Sequence, residues 1–184
     1  MFRINLLRSS VVLCAFGGLL GAAAAMAADA PSPITAAGAF HPLPQAAYQP
    51  DRKATYKVVF SLSKDSGKPG EVNPALERVA RTVNLYAASG VPLEQLKFVA
   101  VASGPATPLV LDDEHYRAKF GVANPNLPVI AQLRKAGVDI AVCGQAVAEN
   151  HFQNEWVAKD VTLALSALTT ITELQQQGYA LMPL

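Results

Sequence analysis

Cysteine is almost absent from this chain: 184 residues contain two, Cys14 and Cys143. A zinc site needs three or four ligands, usually with close pairs, so one cysteine beyond the first thirty residues leaves no metal expected. The same scarcity counts against an autonomous dithiol oxidoreductase, because beyond the first thirty residues no second thiol is present to resolve Cys143. Histidine is scarce as well, at positions 41, 115 and 151. His151 follows Cys143 by eight residues and could share a helical face with it, although a surface histidine is the simpler account. No thiol-protease signature surrounds Cys143. Neither Gly67-Lys68-Pro69-Gly70 nor Ser103-Gly104 forms a phosphate-binding or dinucleotide fingerprint, so no cofactor is expected.

Charge of one sign is also missing. Lys and Arg number 15 against 14 Asp and Glu. Val11 to Ala25 is an uncharged run rich in Val, Leu, Ala and Gly, preceded by Arg3 and Arg8 and followed by Ala25-Met26-Ala27. A basic start, an apolar middle and a small-x-small end define a secretory signal, which places residues 1–27 in a signal peptide and the protein in the periplasm. A permanent membrane helix would need about 20 strongly apolar residues, and this run is rich in Ala and Gly. Cys14 lies inside the run behind Val-Val-Leu, which does not suit a lipoprotein cysteine. Cleavage takes Arg3 and Arg8 with it, leaving 13 basic against 14 acidic side chains. Nucleic acid and anionic membranes need a concentrated basic surface, so neither is expected as a partner after cleavage.

Residues 28–53 hold five prolines and no helical periodicity, which reads as an N-terminal arm. Ile34, Phe40, Leu43 and Tyr48 could lay apolar groups onto a surface, so a docked arm and a free linker both stand. From residue 54 the pattern becomes strand–helix alternation. Tyr56 to Leu62 is a strand; Asn73-Pro74 caps and opens a helix that Gly90 closes. Leu96 to Ala102 is nearly all apolar, as a strand covered on both faces would be. Ser103 to Pro108 reads as a loop, then come short helices over 113–120 and 128–136, the second closed by Gly137. Strands at 138–142 and 161–165 follow, with a helix at 145–152 between them. A helix at 168–177 and a short strand at 179–182 complete the chain. This order predicts one α/β domain over 54–184: an open, doubly wound, mainly parallel five-stranded sheet with helices on both faces.

Cys143 then falls directly after the third strand, with Gly144-Gln145 opening a helix. Reactive groups in such sheets collect beyond the carboxyl ends of the strands. Backbone N–H groups at a helix start stabilise a thiolate, and Gly144 lets another sulfur or a backbone approach. The opposing reading is a small buried hydrophobe, the commonest fate of a free cysteine. A third is redox sensing through sulfenic acid or an inter-subunit disulfide. The apolar stretch Ser103 to Leu111 and the helix carrying Val129, Ile130 and Leu133 could pair across subunits or pack in the core.

Tyr56-Lys57-Val58-Val59-Phe60, the helix Ala75–Ala87 with Arg78 and Asn84, the strand Phe98–Ala102 and above all Val142-Cys143-Gly144-Gln145 resemble the DsrE/DsrF-like family. The closing segment Val161 to Leu184, with its Gln-Gln-Gly-Tyr, is similar too, and the resemblance spans residues 34–184. The Pro-rich stretch Ile34 to Pro50 resembles the arm of the exported branch. The resemblance implies a compact α/β domain assembled as a trimer or hexamer. It also implies that Cys143 accepts a persulfide sulfur from a donor protein or small sulfane-sulfur compound and passes it to an acceptor. Gln145 would orient the sulfur through its amide, while Tyr56 and Asn84 would fix helix to strand. Such a cycle is that of a sulfur carrier or sulfurtransferase-like protein, and "enzyme" describes it loosely. A non-catalytic oligomeric module binding a small molecule or partner protein is the alternative.

Overall fold

The computed structural model describes residues 31–184. The signal-peptide reading of residues 1–27, and Cys14 within it, lie outside the described residues. Strands β1 (Tyr56–Leu62), β2 (Leu96–Ala102), β3 (Asp139–Cys143), β4 (Thr162–Ala164) and β5 (Ala180–Pro183) form one sheet in the order β4-β3-β2-β1-β5. Every pairing is parallel. The helices are α1 (Pro74–Ala88), α2 (Asp113–Phe120), α3 (Leu127–Lys135), α4 (Gly144–Glu149) and α5 (Ala167–Gln176). Among the described residues no helix is long and apolar enough to cross a membrane.

Alternation within the strands separates two apolar layers. Val58, Phe60, Leu62, Phe98, Ala100, Ala102, Ile140 and Val142 face one side, where they pack against Leu76, Val79 and Val83 of α1 and Val129, Ile130 and Leu133 of α3. Val59, Val99, Val101, Ala141 and Cys143 face the other, where Ala167, Ile171 and Leu174 of α5 meet them. Val129, Ile130 and Leu133, together with Leu109 and Val110, are thus buried inside one chain. Core packing, not subunit pairing, accounts for them.

Local chemistry explains the helix ends. The Asn73 Oδ1 accepts from the backbone N–H of Ala75 and Leu76, at 2.9 and 3.4 Å, and Pro74 occupies the first helical position. That cap leaves two fewer orphan donors at the start of α1. Helix α4 stops at Glu149 instead of reaching Phe152, because His151 adopts φ 57°, outside the helical region. The expected loop after β2 is a 3-10 helix over Gly104–Val110. Pro105 and Pro108 have no N–H to give an α-helix, but this tighter turn needs fewer donors and buries Ala106, Thr107, Leu109 and Val110.

The arm is docked at its start and exposed farther on. Ile34 is buried, and its N–H and C=O both bond the side chain of Asn84. The same Nδ2 donates to the Gly38 carbonyl at 3.0 Å, while Gln132 Oε1 accepts from the N–H groups of Thr35 and Ala36. A Cβ on Gly38 would lie 2.5 Å from the Ala80 carbonyl carbon, so only glycine permits this approach to α1. Leu43 and Tyr48, by contrast, are exposed. Asn84 therefore ties the arm to α1 and does not fix helix to strand. Tyr56 does pack, its ring 4.5 Å from that of Tyr86, and its hydroxyl donates to the Asp51 carbonyl.

Candidate functional site

The chain leaves β3 towards the face that holds α1 and α3, where Val147 of α4 is buried. It leaves the neighbouring β4 towards the opposite face, which α5 covers. Adjacent strands whose connections part in this way open a crevice at their carboxyl ends, the usual position of a site in an open α/β sheet.

Cys143 stands at that switch point, between β3 and β4. It is the last residue of β3, paired with Ala164 of β4, and not the first residue beyond the strand as the sequence pattern suggested. It also occupies the N-cap position of α4. Its relative exposure is 6%, so it is a free but largely covered thiol. Burial pushes the Cys143 thiol up. The backbone N–H groups of Ala167, Ala146 and Gln145 and the hydroxyl of Ser166 act in the other direction and outweigh it, so the thiol sits below its ordinary value.

Two of those groups come from the start of α5, which the sequence pattern did not connect with Cys143. Ser166 is the N-cap of α5, and its Oγ accepts from the Leu168 N–H at 3.2 Å. The hydroxyl hydrogen stays free to donate, and Sγ of Cys143 lies 3.9 Å from that oxygen. A serine before an apolar helical run is a readable cap signal. Its meeting with a thiol 23 residues earlier is tertiary and leaves no trace in local pattern.

The other two expected site residues act differently from their sequence roles. A Cβ on Gly144 would lie 2.7 Å from the Ala164 carbonyl oxygen and 3.4 Å from that of Leu165. The group that closes on Gly144 is therefore this chain's own β4–α5 turn. The Gln145 amide is exposed and its Nε2 donates to the Leu165 carbonyl at 3.3 Å. Gln145 reaches the sulfur through its backbone N–H, and its side chain holds the turn that carries Ser166. His151 lies beyond the end of α4 on the surface, not on a helical face with Cys143. Among the described residues no group of three or more His, Cys, Asp or Glu could hold a metal.

The surface around the crevice is apolar and nearly free of charge. Leu165 and Leu168 are 73% and 81% exposed, and Leu163 of β4 is also exposed. From Val161 to Leu184 the only charged side chain is Glu173.

No curated protein matches the sequence. In fold the chain is similar to a solved structure of a protein of unknown function from Methanobacterium thermoautotrophicum. The two are 19% identical, with a TM-score of 0.53, over 70% of this chain and 99% of that one. The DsrE/DsrF-like family matches residues 57–184, every strand and helix of the sheet domain included, and the chain belongs to that family.

Proposed function

We propose that Cys143 carries sulfane sulfur as a persulfide, in the periplasm, between a donor and an acceptor. Membership of the DsrE/DsrF-like family suggests a sulfur-relay-related role. One observation supports the finer reading: three backbone N–H groups and a serine hydroxyl converge on a single thiol at the sheet's switch point. A thiolate is the nucleophile in sulfur exchange, and these donors favour it against the cost of burial. The thiolate attacks the outer sulfur of a donor R–S–SH, the S–S bond of the donor breaks, and R–S⁻ leaves. Cys143 then holds –S–SH. An acceptor thiolate attacks that outer sulfur in turn and Cys143 leaves as thiolate, so no oxidant or reductant is consumed. Export rests on the signal-like residues 1–27. The exposed, nearly uncharged rim suits contact with donor and acceptor proteins or with further copies in a trimer or hexamer, since interface centres are depleted in charge.

Intact mass after exposure to a sulfane-sulfur donor tests the reading. A gain of about 32 Da that reductant removes, and that Cys143→Ser abolishes, is the expected result for a reactive thiolate. Loading that survives in Cys143→Ser rejects it. The covered position of the thiol favours one other reading, a non-catalytic oligomeric module with an inert cysteine. No adduct, together with slow native alkylation, selects that module.

A further inference from the structure

Away from Cys143, an open cleft of about 290 Å³ lies between α2 and the segment that follows α4. Leu111, Phe152 and Trp156 give it apolar walls, and His115, Lys119 and His151 bring it polar groups. Nothing in the sulfur chemistry uses these residues.

The cleft holds an oriented imidazole. His115 Nδ1 lies 2.8 and 2.9 Å from the two carboxylate oxygens of Asp112. An ionised carboxylate only accepts, so a hydrogen sits on Nδ1, and in the neutral form of the ring Nε2 is an acceptor. The ring is clamped from a second side by Trp156, stacked at 4.4 Å between centroids and 15° between planes. Nε2 has no hydrogen-bond partner among the described residues.

The cleft also has an unpaired cation. Lys119 makes no ion pair among the described residues, whereas Arg117 on the same helix is paired with Asp113. The Lys119 ammonium instead lies over the rings of Phe152 and Phe120, at 5.5 and 5.6 Å, which hold it near the cleft without neutralising it. His151, opposite, keeps a full imidazole at φ 57°, where glycine would cost less.

We infer that this cleft binds a small organic acid that carries a hydroxyl or N–H donor beside its carboxylate and an apolar body. The apolar body packs on Trp156, Phe152 and Leu111. The carboxylate pairs with Lys119, and the donor gives its hydrogen to His115 Nε2. A bare oxyanion would meet the Nε2 lone pair with negative charge, so it matches the cleft less well than a ligand bearing both groups. The volume is at the small end of ligand pockets, which suits a molecule of about a dozen heavy atoms.

Trp156 is the single tryptophan of the chain, so its fluorescence reports on this cleft alone. Mandelate is the probe, with phenylacetate lacking the hydroxyl and mandelamide lacking the charge. Saturable quenching by mandelate, weaker with both analogues, is the expected result. Lys119→Met keeps the stem over the rings and removes the charge, and should weaken mandelate about tenfold or more, as loss of a charge-assisted hydrogen bond does. Equal response to all three probes, or an unaltered response in Lys119→Met, overturns the inference. So does displacement of mandelate by sulfate, which would identify a plain oxyanion site. Absence of saturation up to roughly 20 mM overturns it as well, being weaker than any useful small-ligand affinity.

Discussion

Sγ of Cys143 and Oγ of Ser166 lie 3.9 Å apart, joining the end of β3 to the start of α5. The hydroxyl oxygen accepts from the Leu168 N–H, which leaves its hydrogen free to donate to Cys143 once the thiol is ionised. The serine is thus a positioning residue for the charge on sulfur and also the cap of the helix beside it.

Replacing Ser166 with Ala should raise the thiol's pKa, since one of the donors that offset burial is lost. The midpoint of the alkylation rate against pH reads this directly, and it should move to higher pH than in the parent protein. An unmoved midpoint would show that the backbone N–H groups alone set the thiol. The same depression makes folding pH-dependent. The native state releases its thiol proton at lower pH than the unfolded chain does, so the native state binds fewer protons between the two values. Stability from this group is fully present above the ordinary thiol value and is lost as pH falls through the native one. Urea midpoints across that interval should rise with pH in the parent and lose that slope in Cys143→Ser.

Gly144→Ala should destabilise the fold by about 1–3 kcal/mol, the usual cost of forcing extra volume into a packed site. The clash is with the backbone carbonyl of Ala164, 2.7 Å from the new Cβ, and a carbonyl within a paired strand has little room to retreat. Because the displaced turn carries Ser166, native alkylation of Cys143 should slow in the same variant. A stable variant with unchanged alkylation would show that the turn can shift freely.

Asn84→Ala removes the partner of both backbone groups of Ile34 and of the Gly38 carbonyl. Leaving buried backbone groups unpaired costs about 1–3 kcal/mol. Hydrogen exchange should therefore accelerate at Ile34 while β1 to β3 keep their protection. Protection that persists at Ile34 would mean that its apolar contacts and the Gln132 bonds to Thr35 and Ala36 hold the arm without Asn84.

Leu165→Asp and Leu168→Asp together place two carboxylates on the exposed rim of the crevice, where the parent surface has almost none. Both side chains are largely exposed, so the monomer's stability should change by less than about 0.5 kcal/mol. Any assembly through this rim should dissociate, as light scattering coupled to size exclusion would show. An unaltered mass would assign assembly to another surface.

Much of this was readable from residues alone, and the limits are physical. The β1 and β2 segments combine β-branched residues with clear polar breaks, so their ends match the structure residue for residue. Asn73-Pro74 and Gly90 mark α1 by cap chemistry that is local by nature. Cys143 was placed at the right end of the right strand but one residue off, because β3 runs into α4 with no polar break between them. Gly144 looked like room for a visitor, yet the space is filled by a carbonyl twenty residues later in the chain. Ser166 and the grip of Asn84 on Ile34 were beyond reach for the same reason: each joins segments far apart in sequence, where periodicity carries no signal. Of the arm's apolar residues, Ile34 is buried and Leu43 and Tyr48 are not, and nothing in spacing separates them.

The path of the last segment has a consequence for the order of assembly. β5 pairs with β1 across the whole length of the chain, and α5 is laid over the sheet between them. Contacts so distant in sequence form late, after the loops they close have been ordered. Until α5 seats, Cys143 lacks the Ala167 N–H and the Ser166 hydroxyl, two of the four groups that lower its pKa. Pulse alkylation during refolding should accordingly show a less acidic thiol through the early phases. Its reactivity should then change only with the step that buries Ala167. The lowered pKa of Cys143 is in that sense a late property of the fold, complete only once α5 has packed on the sheet.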